Sequence, residues 1–388
     1  MIRKTAEERG LGGHMDAGTL VIDADAHINE PVVRLDAPDD ELAPWRTLAE
    51  RHPGWQQAGR SGGRTVSLIE GKLFPTQEGP GRGVPIESAM HPQAADGALH
   101  LDARIRDLDK EGIDVQVLYG GLSIGATTFE DPAFALDFCR AYNDWLVGVC
   151  ARYPDRLEAV AIVPLQHPGN AVAEVGRAAD LGMVGVMIPP VVGTRNLDDP
   201  ALQPFFEAAA GLGVAVGVHS APGMNLPLPG AERFDNYAQV HTLSFPVDQM
   251  VAFTALAMGG VLDRFPALRV AFLESGVGWV PYFVHRMHEH REKRGDMVPE
   301  MTSDPRDYIE RGQCFFAFEC EDRLLEPYVE HLGADSLVFS SDYPHWDCDY
   351  PGTVETARAN AAVLGEDVLV RILGANAARL YGLGGDVA

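Results

Sequence analysis

No apolar run in this 388-residue chain approaches the ~18 residues that a membrane-spanning helix needs, and its first residues, MIRKTAEERGLGG, lack the apolar core of a secretory leader. No membrane partner is expected, and a cytoplasmic location is. Positive charge is scarce: 31 Lys and Arg face 56 Asp and Glu, a net charge of −25, with no basic cluster dense enough to track a phosphate backbone. Nucleic acid is therefore not an expected partner. The five cysteines, Cys139, Cys150, Cys314, Cys320 and Cys348, include no C-x-x-C pair, so neither a disulfide framework nor a cysteine zinc site is suggested. Apolar residues are not lacking. At 46% hydrophobic and 22% charged, the composition is that of a globular enzyme able to bury a large core.

Short apolar, β-branched runs recur along the chain: TLVIDADAH (19–27), GIDVQVLY (112–119), LEAVAIVPL (157–165), MVGVMIPP (183–190), GVAVGVHS (213–220), LRVAFLES (268–275), QCFFAFE (313–319) and DSLVFSSD (335–342). Stretches of helical periodicity separate most of them, which is the signature of repeated βα units around a parallel sheet. Asp131-Pro132 opens a helix whose stripe is Phe134, Phe138, Tyr142, Trp145 and Val149; Asp199-Pro200 opens another that Gly213 closes; a third runs from Pro168 to Leu181 and stops at Gly182. Eight such strands predict an α/β fold, a (β/α)8 TIM barrel over residues 19–382, flanked by flexible ends at 1–18 and 383–388. Residues 31–100, rich in Pro and Gly with a hairpin at 64–74, are expected to form a lid or substrate-shaping insertion after strand 1. A second excursion, 221–246, follows strand 5 on the same face.

Strand ends are where barrels place their chemistry. Asp25 and His27 lie two apart on strand 1, so both side chains face one side and can reach one ion. His219 ends strand 5 and Asp342 ends strand 8. Each has an ordinary reading: a D-x-H is often a solvated turn, a single His a hydrogen-bonded core residue, an Asp the N-cap of the next helix. Their joint placement favours a metal site. Two imidazoles and two carboxylates suit Zn²⁺, Mn²⁺ or Fe²⁺.

The segments IDADAHINEP, AYNDWL, PDRLEAVAIVPLQ, GVHS, FPALRVAFLESGVGWVPYFVHRM and FSSDYPHWD resemble, in order and spacing, the amidohydrolase-related family that includes aminocarboxymuconate-semialdehyde decarboxylase and γ-resorcylate decarboxylase. The resemblance extends over nearly all of residues 19–382. It implies a barrel with one Zn²⁺ or Mn²⁺ on Asp25, His27, His219 and Asp342, a small-molecule substrate, and a homodimer or homotetramer. Two departures stand out. Asp25 replaces the His or Glu usual at its position, and Glu274 stands where the family's strand-6 catalytic histidine is expected. A carboxylate can serve as a base, or as an acid if burial raises its pKa, but not as an imidazolium. The ordinary reading of Glu274 is a cap on the following helix.

Asp342, Glu274 and His345 are the expected catalytic residues, and His241, Phe74 and Trp346 the expected substrate contacts. Tyr343 could join the apolar wall, and Glu319, ending strand 7, could supply a supporting hydrogen bond. His285, His288 and His290 share one helix and read as a solvated face. The expected activity is non-oxidative removal of CO₂ from a small hydroxyaryl or enol/keto carboxylic acid. The alternatives are a hydrolase of an amide, ester, lactone or activated C–C bond using metal-bound water, and a metal-less binding protein without turnover.

Overall fold

The alternating Val, Ile, Ala and Phe runs form strands because branched and aromatic side chains pack well on a pleated surface buried on both faces. The computed structural model describes residues 20–31, 39–61, 64–85 and 88–383. Its main sheet is made of β1 (Ile22–Ile28), β2 (Val115–Gly120), β3 (Leu157–Ile162), β4 (Gly185–Ile188), β5 (Ala215–Val218), β6 (Val270–Phe272), β7 (Cys314–Phe318) and β8 (Leu337–Phe339). They lie side by side in chain order, each parallel to the next. Just beyond β8 the ring is closed on β1: Asp342 N donates to Asp25 O at 3.2 Å and His27 N to Tyr343 O at 2.7 Å. All eight expected strands are present, and the chain is a TIM-type α/β barrel.

The outer helices start and stop where the sequence marks them. Asp131 caps Pro132–Cys150 by accepting from Ala133 N and Phe134 N, and Gly213, with φ 64°, ends Gln203–Leu212. Inside the barrel, Gly217 on β5 is required by packing, since a Cβ there would sit 2.5 Å from the Tyr119 hydroxyl. That hydroxyl meets Tyr381 at 2.8 Å, and Tyr381 donates to Ala24 O, tying the last helix to β1.

The insertion after β1 differs from its expected form. It contains a helix, Asp39–Arg51, and the 64–74 hairpin gains a third strand, Gln56–Ser61. Trp45 and Leu48 of that helix are buried, and the Trp45 ring lies 5.4 Å from Phe138 and 6.3 Å from Trp145. This part of the insertion therefore rests on the flank of Pro132–Cys150. Among the described residues of the insertion, only a later stretch carrying Pro75, Val84, Ala89 and Met90 reaches the cavity at the barrel mouth. The helix escaped sequence reading because Pro44 lies inside it; tertiary burial of Trp45 overrides the local signal. Likewise the 221–246 excursion is only partly loop, since its last residues begin the helix Tyr237–Met258. Leu383, assigned to a flexible tail, is buried in the core, while the rest of that tail and the 1–18 extension lie outside the described residues.

Candidate functional site

β1 reads Asp23-Ala24-Asp25-Ala26-His27, and its pairing with β2 slips by one residue between Asp23 and Ala26. Such a bulge re-aims side chains and is frequent beside active sites. Asp23 is fully buried and ties β1 to the segment beyond β8, accepting from Ser341 N (2.9 Å), the Ser341 hydroxyl and Gln116 Nε2 (2.8 Å). Gln116 in turn accepts from Arg104, which also donates to the His27 carbonyl at 2.6 Å. A buried polar chain thus fixes the backbone that presents Asp25, His27 and Asp342. Neither Asp23 nor Arg104 was expected from sequence, although Asp23 falls on the same two-residue alternation as Asp25 and His27.

The side chains of Asp25, His27, His219, Glu274, Asp342 and His345 converge. His27 Nε2 lies 3.6 Å from Asp25 Oδ1 and 3.3 Å from Asp342 Oδ1; His219 Nε2 lies 3.9 Å from Asp25 Oδ2 and 2.8 Å from Glu274 Oε2. His345 Nδ1 is 2.8 Å from Asp342 Oδ1 and 3.6 Å from Glu274 Oε1, and its ring stacks on His27 with centroids 4.2 Å apart. Glu274 and Asp342 have φ of 51° and 52°, a left-handed conformation that non-glycine residues adopt at a cost of roughly 1–2 kcal/mol. Strain of this kind collects at functional sites, and here it falls on two carboxylates that follow strands.

Several donor atoms at this point lack a partner outside the cluster despite full burial: both oxygens of Asp25 and Nε2 of His27 have none, and Nε2 of His219 and Oε2 of Glu274 have only each other. Buried polar atoms are normally satisfied, so a convergent set of orphans calls for a ligand. The imidazoles are pre-set for one. His219 Nδ1 donates to the Ser220 carbonyl at 2.6 Å and His27 Nδ1 to the Gly120 carbonyl at 3.4 Å, which makes Nε2 the nitrogen that each ring turns toward the cluster. The donor set of nitrogen and carboxylate oxygen fits one divalent first-row cation.

The electrostatics of the protein alone point the same way. Burial, with Glu274, Asp342 and Asp23 adding repulsion, raises the Asp25 carboxyl well above its usual range despite the opposing pull of His219. Burial and then Glu274 raise Asp342 to about 6. His27 is pushed well below its ordinary value by burial and by its neighbours His345 and His219, so it is held neutral. For His219, burial opposes protonation but the Glu274 and Asp25 carboxylates prevail, holding it at about 9. Glu274 mirrors this: burial raises it, and His219 and His345 more than offset that. A bound dication would supply the positive charge that these crowded carboxylates otherwise take from a proton.

Above the cluster opens a cavity lined by His27, His219, Glu274 and His345 at the floor and by Tyr237, His241, Phe245, Trp346 and Asp347 among the residues nearer solvent. His241 and Trp346 are thus where substrate contacts were expected. Phe74 is not; it is buried against Phe129, ring centroids 5.7 Å apart, and its neighbour Pro75 lines the cavity instead. Tyr343 also turns away, its hydroxyl donating to Asp107 at 2.6 Å. Glu319, half-buried after β7, is raised well above the usual carboxylate range by burial and by Asp342. His285 and His290 are exposed and His288 is half-buried against Asp304, so that helix run stays apart from the cluster. Asp347 was missed, although it closes the FSSDYPHWD segment.

The amidohydrolase sequence profile matches residues 22–383. The chain belongs to the amidohydrolase family. A 2-amino-3-carboxymuconate-6-semialdehyde decarboxylase of Dictyostelium discoideum is 28% identical over 246 residues, covering 63% of this chain and 66% of that relative. A gamma-resorcylate decarboxylase of Rhizobium radiobacter is 29% identical over 300 residues, 73% of this chain and 88% of its own length. Among solved structures, an amidohydrolase of Mycobacterium avium subsp. paratuberculosis superposes with a TM-score of 0.73 at 22% identity, covering 94% of this chain and 99% of that one. A dihydroxybenzoic acid decarboxylase of a Polaromonas species, bound to manganese and 2-nitroresorcinol, gives 0.62 at 20% identity, covering 94% and 97%. These two show the shared barrel. Among the described residues of this amidohydrolase, no helix is long and apolar enough to cross a membrane.

Proposed function

We propose that this amidohydrolase is a metal-dependent carboxy-lyase that removes CO₂ non-oxidatively from a small hydroxyaryl or enol/keto carboxylic acid. The observation that carries this reading is His345, which lines the cavity with Nδ1 held 2.8 Å from Asp342 and Glu274 Oε1 at 3.6 Å. The family's missing strand-6 imidazole is thereby offset by another one, placed beside the same cluster from the segment after β8. The decarboxylase activities of the relatives support the same reaction class.

Asp25, His27, His219 and Asp342 would hold one Zn²⁺ or Mn²⁺, which when bound polarises the substrate oxygen next to the departing carboxylate. The chain's own residues supply the proton. Burial disfavours a charged His345, but the Asp342 and Glu274 carboxylates outweigh it and hold the imidazolium well above its usual range. With Nδ1–H bound to Asp342, Nε2–H is the proton to be delivered to the carbon bearing the carboxylate. Protonation there lets the C–CO₂ bond break with its electron pair returning to the ring, and His345 regains a proton from solvent. Glu274 stabilises the charged imidazole and holds His219 in place. The apolar part of the wall, Ile124, Met224 and Phe245, excludes water and favours loss of charge as neutral CO₂.

Stoichiometric CO₂ from a panel of 2-hydroxybenzoates and enol carboxylates, with Mn²⁺- or Zn²⁺-loaded protein, is the expected result. Incorporation of ¹⁸O from water into product without CO₂ would replace this reading with the hydrolase.

A further inference from the structure

The mouth of the cavity carries a recognition element distinct from the ligand cluster at its floor. His241 Nε2 lies 3.5 Å from Asp347 Oδ2, with the two side chains 26% and 31% exposed. Aromatic rings surround the imidazole: Phe245 at 4.7 Å, Tyr237 at 5.4 Å and Trp346 at 5.5 Å between centroids. A wall of rings at these spacings favours a flat aromatic guest over a flexible chain. Among the described residues lining the cavity there are two carboxylates, Glu274 and Asp347, and no Lys or Arg. A carboxylate accepts hydrogen bonds from a hydroxyl or amine, and with no Lys or Arg among the described residues of the mouth to bridge the two charges it disfavours a second carboxylate beside it. His241 takes one oxygen of Asp347 and leaves the other for a guest.

Resting on the lyase reading, we propose that Asp347, held by His241, is a specificity-determining residue that selects aromatic monocarboxylates bearing a further hydroxyl or amino group on the ring edge away from the reacting carboxylate, and rejects dicarboxylates. The metal cluster serves the reacting end; this pair serves the distal one. The floor is set by residues within or just beyond strand ends, whereas the mouth joins His241, from the helix after β5, to Asp347, two residues beyond His345 on the segment after β8.

Calorimetric titration of the Mn²⁺-loaded full chain with nitrophenols tests this without turnover, since a nitro group replaces the carboxylate that would leave. The probes are nitrohydroquinone, which carries a distal hydroxyl, and 4-hydroxy-3-nitrobenzoate, which carries a distal carboxylate. In the wild type the second is expected to bind at least ~10-fold more weakly, as repulsion between two carboxylates with no Lys or Arg between them at a partly buried site requires. Asp347→Asn should bring the two within about threefold, and Asp347→Arg should reverse their order by restoring the missing cation. Both variants should keep wild-type manganese content, because Asp347 is no part of the ligand cluster. Equal or tighter binding of the carboxylated probe by the wild type, or a preference that both substitutions leave unchanged, would overturn the assignment. Absence of heat with either probe on metal-loaded protein would instead sink the lyase reading, and the assignment with it.

Discussion

At the floor of the cavity, Asp25, His27, His219 and Asp342 lie within or a few residues beyond barrel strands and are at most 5% exposed; at its mouth, His241 stands on the helix after β5, and Trp346, 42% exposed, on the segment after β8. The floor is held redundantly. Asp23, Gln116, Arg104 and Ser341 brace β1 and the Asp342 segment, while Gln249 donates to the carbonyls of Val218 and Leu273, one residue before His219 and Glu274 respectively. The mouth has ring contacts and one imidazole–carboxylate contact. On the function proposed above, the contrast assigns the reaction type to the braced strand ends and the choice of substrate to elements that can vary without disturbing them.

His219→Ala tests the floor most severely. Losing one of four arms should leave the purified protein with far less than one metal per chain and no measurable turnover, read by elemental analysis with and without added Mn²⁺. Full occupancy would show that the cluster does not depend on this imidazole. Because His219 titrates at about 9 in the metal-free protein, metal must displace its proton. Metal affinity should therefore rise with pH up to that range and weaken below it.

Glu274→Gln separates ligand from proton relay. Metal content should remain, while kcat falls by ~10²- to 10⁴-fold as the charge that sustains the His345 imidazolium disappears. An unchanged kcat would take Glu274 out of the chemistry.

Asp248 probes the support beneath the floor. It is fully buried, accepts from the Ser220 hydroxyl, and burial raises it from 3.8 to about 7. The folded state thus keeps a proton that the unfolded chain has already lost between those values, so this group makes stability fall as pH rises from about 4 to 7 and level off above. The size is on the order of 4 kcal/mol. Asp248→Asn should flatten that part of the profile in urea unfolding at pH 5 and pH 8; a slope equal to wild type would show that Asp248 is ionised throughout.

Trp346→Ala should give the smallest change and the one most specific to the mouth. KM is expected to rise about tenfold with kcat and metal content little altered, since a ring contact made equally in ground and transition state affects binding alone. A matching fall in kcat would mean that floor and mouth are coupled.

The barrel was legible because each strand is an apolar run bounded by Gly, Pro or Asp, and burial on both faces leaves few other ways to use such runs. Asp25, His27, His219 and Asp342 were legible as a group because all sit at strand ends on one face. The supporting residues were not. Nothing in the local pattern singles out Arg104 or Asp248, and only the fold shows that each is fully buried. The placement of Phe74 failed for the same reason: sequence puts an aromatic near the mouth, but packing against Phe129 decides that it faces the core and leaves the cavity to Pro75.

By itself the sequence determined the order of the elements, the barrel class and the residue types available for a metal, because periodicity and strand-end position are local properties that survive without a partner. Tertiary structure alone decided that His345 lies 3.6 Å from Glu274, that Asp347 faces His241, and that the Asp39–Arg51 helix of the insertion flanks the barrel. Those distances join residues tens to hundreds of positions apart, and they are fixed by packing and barrel closure, on which no local pattern reports.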